Sequence, residues 1–309
     1  MKNGMKWLDV DGNEIEAHGG CRLVHDGKTY WYGENRTGDN FVSCYVQTSK
    51  GWKFLNNVLT LHSQTEKTRV HADLALRTKM ASEDIFVPAI IERPKVLYNA
   101  KTGKFVMWMH YETGIDRKSG RCAVATCDTP DGDFVYHGSF NPMGNQSRDC
   151  TLYQENEKAY FISSARGNSD LYVYTLTEDY LNVCKLINVL FSNEYREAPA
   201  IIKTKGKYLL VSSGCTGWKS NQSTFSIGDR LDGEFTINRN LGDKTTYFSQ
   251  SAFLYENARG EIVFFGDRWG GNDFIENNNF EYQKSGYCAY NLKFDGENAV
   301  LVYSEETFS

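Results

Sequence analysis

Lys205-Gly206-Lys207-Tyr208-Leu209-Leu210-Val211 decides the fold, because the chain writes it five times. A polar turn runs directly into an aromatic and aliphatic strand. The pattern recurs at Asp26-Gly27-Lys28-Thr29-Tyr30-Trp31-Tyr32 and Thr102-Gly103-Lys104-Phe105-Val106-Met107-Trp108. It returns at Asn156-Glu157-Lys158-Ala159-Tyr160-Phe161-Ile162 and Arg259-Gly260-Glu261-Ile262-Val263-Phe264-Phe265. Upstream of each turn lies a short apolar strand. At its mouth stands one polar residue: His18, Glu92, Asp149, Glu197 or Gln250, eight to eleven residues before the turn. Five hairpins with a matched opening residue signal radial repetition, so an all-β, five-bladed β-propeller is predicted. The five opening residues would then converge on one axis.

The turns centre on positions 27, 103, 157, 206 and 260, so they are spaced by 76, 54, 49 and 54 residues. Four-stranded blades repeat at roughly 40–50 residues. The long first gap reflects an excursion over 61–86, in which 71–80 is expected as a short helix. Arg121-Cys122-Ala123-Val124-Ala125-Thr126 and Ser223-Thr224-Phe225-Ser226-Ile227 read as further strands. Asp131-Gly132 and Asp232-Gly233, each ahead of a phenylalanine, read as hairpin turns into fourth strands. Residues 267–286 read as one long loop, of a length that is usually functional. No linker is apparent, and 1–309 is expected to be a single propeller domain.

Composition narrows the function. A hydrophobic fraction of 40% with 24% charged residues suits a globular protein with a real core. The net charge is −5 and no basic block occurs, so no nucleic-acid partner is expected. No run is apolar enough to span a membrane, and a monomer is expected. The first twenty residues lack the apolar core of a secretory signal. That points to the cytoplasm for the chain as given, and to secretion or the periplasm if a signal was trimmed. None of the eight cysteines forms a Cys-x-x-Cys pair or a zinc-spaced cluster; buried free thiols, no metal and no cofactor are expected.

Three carboxylates, a histidine and an amide on one axis suggest chemistry. Glycoside hydrolysis needs a protonated acid for the leaving oxygen and a second group that activates water or attacks. Among Glu92, Asp149 and Glu197, mutual repulsion should keep at least one protonated near neutrality. The same pattern also fits a polar channel that holds an ion or waters without catalysis. Arg93 beside Glu92 and Arg148 beside Asp149 offer simple ion pairs. Tyr111, Trp218 and Trp269 are candidate sugar platforms that would serve equally as blade core.

The chain resembles family 43 glycoside hydrolases, five-bladed inverting enzymes, and within them the exo-β-1,3-galactanase branch. Carrying the resemblance are Ala17-His18-Gly19-Gly20, Tyr30-Trp31-Tyr32-Gly33-Glu34, Glu92-Arg93-Pro94-Lys95-Val96, Ser147-Arg148-Asp149, Arg196-Glu197-Ala198-Pro199 and Phe248-Ser249-Gln250-Ser251. It implies that Glu197 is the general acid and Asp149 the group that tunes its pKa. The family's usual Asp base has no counterpart, since His18-Gly19-Gly20 stands in its place. Within the branch, Glu92 matches a sugar-contacting or proposed base residue, and Gln250 an amide that holds the attacking water. His18 and Glu34 are counted with the substrate-binding residues, His18 as substrate-facing or structural rather than as base. The implied activity is release of galactose from β-1,3-galactan. An arabinofuranosidase or xylosidase on the same propeller, a non-catalytic carbohydrate-binding propeller and a protein-interaction propeller are the alternatives.

Overall fold

In the computed structural model, which describes residues 1–81 and 84–307, the predicted hairpins become five successive four-stranded antiparallel sheets. The blades occupy 18–60, 90–140, 150–190, 196–241 and 250–302. Their innermost strands are His18–His25, Ile90–Asn99, Cys150–Glu155, Arg196–Thr204 and Gln250–Glu256. Each contacts the innermost strands of both neighbours, so the ring closes.

Turn chemistry sets the hairpins. Asp26-Gly27, Asn156-Glu157 and Lys205-Gly206 are two-residue turns with φ of 47° and 72°, 48° and 63°, and 50° and 74°. Positive φ at both positions matches the right-handed twist of the flanking strands. The second strand of each blade is buried on both faces and reads as a continuous apolar run. In Lys207–Gly214, Tyr208 and Leu210 pack towards blade three, and Leu209 and Val211 towards blade five. Five apolar clusters of this kind fill the five gaps between blades.

Each blade is one continuous stretch, so no strand is exchanged at the join. The N-terminal arm seals it instead. Gly4 N–H donates to Tyr287 O at 2.7 Å, and Asn3 Nδ2 to Ala289 O at 3.1 Å. Trp7 sits between blades one and five, with ring centres 6.2 Å from Trp31 and 5.4 Å from Phe265.

Where the innermost strands reach the axis, four of the five slip register by a bulge, at His18/Cys21, Glu92/Lys95, Glu197/Ala200 and Ser251/Phe253. In three, the residue after the opening one is left-handed: Gly19 at 57°, Arg93 at 55° and Ala198 at 50°. Bulges re-aim side chains at a sheet edge, here towards the axis.

Three expectations change. Residues 71–80 hold no helix: Asp73 and Ser139 exchange backbone hydrogen bonds of 2.9 and 2.8 Å, and Arg77–Lys79 pairs with Phe86–Pro88. Pairing with Ser139 of blade two and with the strand Phe86–Pro88 satisfies backbone that a helix would have satisfied internally. Residues 267–286 are not one irregular loop; they end the strand Ile262–Arg268 and then form the helix Gly271–Asn277 and a turn at Tyr282–Lys284. The fourth strand of blade four begins at Arg239 rather than beside Phe235. No helix among the described residues is long and apolar enough to cross a membrane.

Candidate active site

The bulged ends of the innermost strands surround a cleft of about 190 Å³, lined by Glu34, Glu92, Arg93, Asp149, Glu197 and Gln250, with Arg117, Gly217, Trp218 and Trp269. A wider groove of about 780 Å³ runs between blades two and three, but its lining lacks this convergence of carboxylates.

Glu197 is the cleft carboxyl displaced towards neutrality. Burial pushes its carboxyl up to about 7, and the charge of Asp149 pushes in the same direction. Arg93 opposes them. Asp149 is fixed beside it: its Oδ2 accepts the Ala198 amide at 3.0 Å and lies 3.2 Å from Arg93 Nε. Gln250 Nε2 donates to Glu197 Oε1 at 3.1 Å and to Ser213 Oγ at 2.8 Å. Its Oε1 accepts from Arg93 Nη2 at 2.6 Å and Trp269 Nε1 at 2.7 Å. An acid protonated near neutrality, with a charged neighbour and an amide on one oxygen, is equipped to give up a proton in a sheltered cleft.

Glu92 is the opposite case. Its Oε1 accepts from Arg36 Nη2 at 2.8 Å and Arg117 Nη1 at 2.9 Å, and its Oε2 is 3.1 Å from His110 Nδ1. Burial alone would raise its pKa, but the three cationic partners outweigh it and hold the carboxyl well below its usual range. His110 is pushed up to about 9: burial opposes charge there, but contacts with Glu112 and Glu92 win. Its Nε2 is 3.0 Å from Glu112 Oε1. The cleft therefore holds one carboxyl poised near neutrality and one firmly ionised. Environments that pull two carboxyls apart in this way mark acid and base roles.

His110 Nδ1 and one oxygen each of Glu92 and Asp149 lie within 4.8 Å of one another. Such a set can hold a cation. Here Glu92 already meets two guanidiniums, and a metal would face both, so the donors do not suit one.

Of the sequence candidates, Glu34, Glu92, Asp149, Glu197, Gln250, Trp218 and Trp269 all come to the cleft. Glu34 is 1% exposed and accepts from Arg93 N at 3.0 Å, Arg36 Nη2 at 2.9 Å and Tyr282 Oη at 2.9 Å. Trp218 stacks on Phe280 at 4.7 Å and meets Trp269 edge-on at 5.2 Å, so the segment after blade five's second strand builds one wall.

Two candidates are not at the cleft. His18 is fully buried behind it, stacked on Tyr287 at 4.6 Å, with Nδ1 2.9 Å from Asp267 Oδ1. It is a support, and the histidine among the carboxylates is His110. Tyr111 lies in the core between blades one and two, its hydroxyl donating to Ala75 O at 2.8 Å. The local ion pairs also differ. Arg93 pairs with Asp149, and Arg148 lies 3.5 Å from Glu112. Gly19 and Gly20 have no room for a side chain: a Cβ on Gly20 would lie 1.7 Å from Tyr32 O, and one on Gly19 2.5 Å from Glu34 Oε1.

Sequence reading missed Arg36, Arg93, His110, Arg117 and Ser213 as site residues. It also missed Lys95, whose buried ammonium donates to Gly19 O at 2.7 Å and Ala252 O at 3.0 Å, and to Gly20 O, tying blades one, two and five at the axis. The recurring offset of eight to eleven residues between opening residue and turn was the usable signal. The missed residues lie at no such offset: His110 and Arg117 belong to blade two with Glu92, and Arg36 and Ser213 to blades neighbouring their partners.

Comparison with known proteins agrees with this geometry. The model of glycosyl hydrolases family 43 matches residues 23–240. No curated protein sequence matches the chain. An exo-β-1,3-galactanase from Clostridium thermocellum is 38% identical over 98% of this chain, with a TM-score of 0.85. This chain covers 65% of that one, a little under two thirds of its length. An exo-β-1,3-galactanase from Phanerochaete chrysosporium, solved with β-1,3-galactotriose, is 27% identical over 99% of this chain and 67% of its own, with a TM-score of 0.83. A family 43 β-1,3-galactosidase bound to galactodeoxynojirimycin is 28% identical over 100% of both chains, with a TM-score of 0.81.

Proposed function

From the premise that this chain belongs to glycosyl hydrolase family 43, we infer that it removes single galactose units from the end of β-1,3-linked galactan, with inversion at the anomeric carbon. The observation that carries the reading is Glu197: a carboxyl held at about 7 beside Asp149, in a small cleft walled by Trp218 and Trp269. The substrate follows from likeness to the galactanases and the β-1,3-galactosidase.

Glu197 gives its proton to the glycosidic oxygen as the bond from that oxygen to the anomeric carbon breaks. A water on the opposite face forms the new bond to that carbon and gives up a proton to the ionised Glu92, which passes it to solvent; Gln250 is bonded to the acid itself. Glu197, left as a carboxylate, regains a proton from solvent. Asp149 raises the acid's pKa. Trp218 and Trp269 offer apolar faces to a sugar ring. A cleft of about 190 Å³ suits one terminal unit rather than an internal stretch of chain.

Incubation with β-1,3-galactan and, separately, arabinoxylan, followed by product sizing, tests the reading. Galactose from the first and nothing from the second is expected. Pentose from arabinoxylan would make the protein an arabinofuranosidase or xylosidase. No product from either, with retained binding to galactan, would make it a carbohydrate-binding propeller.

A further inference from the structure

Gln250 has an amide whose two ends look alike in shape and differ in chemistry. Its Oε1 faces Arg93 Nη2 at 2.6 Å and Trp269 Nε1 at 2.7 Å. Guanidinium and indole N–H groups only donate, so the end facing them must be the oxygen. The NH2 must then face Glu197 Oε1 and Ser213 Oγ. Flipped, the amide would set two donors against its own N–H groups. It would also turn its oxygen to Glu197, where it would accept the acid's proton and hold it back from the glycosidic oxygen.

We infer that Arg93 is a positioning residue of the proposed reaction: one buried guanidinium clamps Asp149 and turns the Gln250 NH2 towards Glu197. The inference rests on the hydrolase reading. Arg93 is 4% exposed and is itself over-determined. Its Nη1 donates to Ser251 O at 2.7 Å, its Nε lies 3.2 Å from Asp149 Oδ2, and its backbone N–H donates to Glu34 Oε1 at 3.0 Å. It takes a left-handed φ of 55° inside the bulge, a conformation that persists in a non-glycine only when surroundings enforce it. The bulge sends the side chain across the axis to blades three and five. As the proton leaves Glu197 and negative charge grows on the carboxyl, the oriented NH2 donates to Oε1 and stabilises that charge without reorganisation.

The test compares Arg93→Met and Arg93→Lys with wild type on β-1,3-galactan. In Arg93→Met, kcat is expected to fall about 100-fold, the scale of a misplaced catalytic group, with KM little changed. Glu197 is faced by Asp149, Arg93, Arg196, Cys215 and the neutral Gln250 amide. Loss of the Arg93 cation leaves the Asp149 repulsion less opposed, so the basic limb of the pH profile should move to higher pH. Arg93→Lys keeps a charge but loses the fork; its kcat should fall with the limb in place. Should Arg93→Met not fold, the kcat and KM of Arg93→Lys decide. Wild-type kcat in either variant, or a loss carried by KM alone, overturns the inference and leaves the hydrolase reading standing. A wild-type protein that turns over no galactan overturns both.

Discussion

Asp149 Oδ2 accepts the backbone N–H of Ala198 at 3.0 Å, so the residue proposed to tune the acid is bonded to the neighbour of Glu197, the proposed acid. Two blades are locked together at the point where their carboxyls repel. Asp149→Asn removes the charge and keeps the shape. The pKa of Glu197 should then fall, moving the basic limb of the pH–rate profile to lower pH. Turnover should drop roughly 10- to 100-fold, at the low end of general-acid effects. An unchanged profile would make Asp149 structural.

Glu197→Gln should fold normally and lose about 10²–10⁴-fold in activity on galactan. A galactoside with a very good leaving group needs little protonation and should recover part of the rate. Full activity on the polymer would remove Glu197 from the acid's role.

The buried pair of His110 and Glu92 predicts a pH window of stability. The folded pKa of His110 is raised from 6.5 to about 9. Its contribution is therefore complete below about 6.5 and is lost as pH rises through about 9, and it is on the order of 3 kcal/mol. Glu92 is depressed below 4.5, so its contribution is present above that value and is lost as pH falls through its lower folded pKa. His110→Gln should lower the melting temperature at pH 6 and flatten its decline from pH 6.5 to 9. An equally steep alkaline decline in the variant would contradict the assignment.

Neither reductant nor chelator should change turnover. Cys21, Cys44, Cys122, Cys150 and Cys288 are buried in the blades, and no cysteine among the described residues is paired. The charge of Glu92 is met by Arg36 and Arg117. Activity measured after reductant and after chelator should match the untreated enzyme. Activity lost to chelator and restored by metal would contradict the reading of the Glu92 site.

The propeller was legible because each hairpin is local: a turn with positive φ, a doubly buried second strand, and an opening residue eight to eleven positions ahead of the turn. Glu92, Asp149, Glu197 and Gln250 were legible for that reason. Arg93 was not, because adjacency suggested a pair with Glu92, and a bulge with a left-handed residue sends the side chain the other way. His110 and Lys95 sat unseen within apolar runs, where strand alternation alone does not say which faces the axis. Tyr111 fell on the wrong side for the same reason. The expected helix over 71–80 lost to the strand pair of 77–79 with 86–88 and to the bridge from Asp73 to Ser139 of blade two, a long-range contact that local composition cannot show.

The central claim is best tested by proton NMR during the first minutes of reaction with β-1,3-galactan. Water attacking opposite a leaving group protonated by Glu197 must invert the anomeric centre, so free α-galactose should appear first and equilibrate slowly to the β-form. Early β-galactose would mean retention, and a ladder of oligosaccharides would mean internal cleavage. Either result would contradict an inverting enzyme that takes galactose from a chain end.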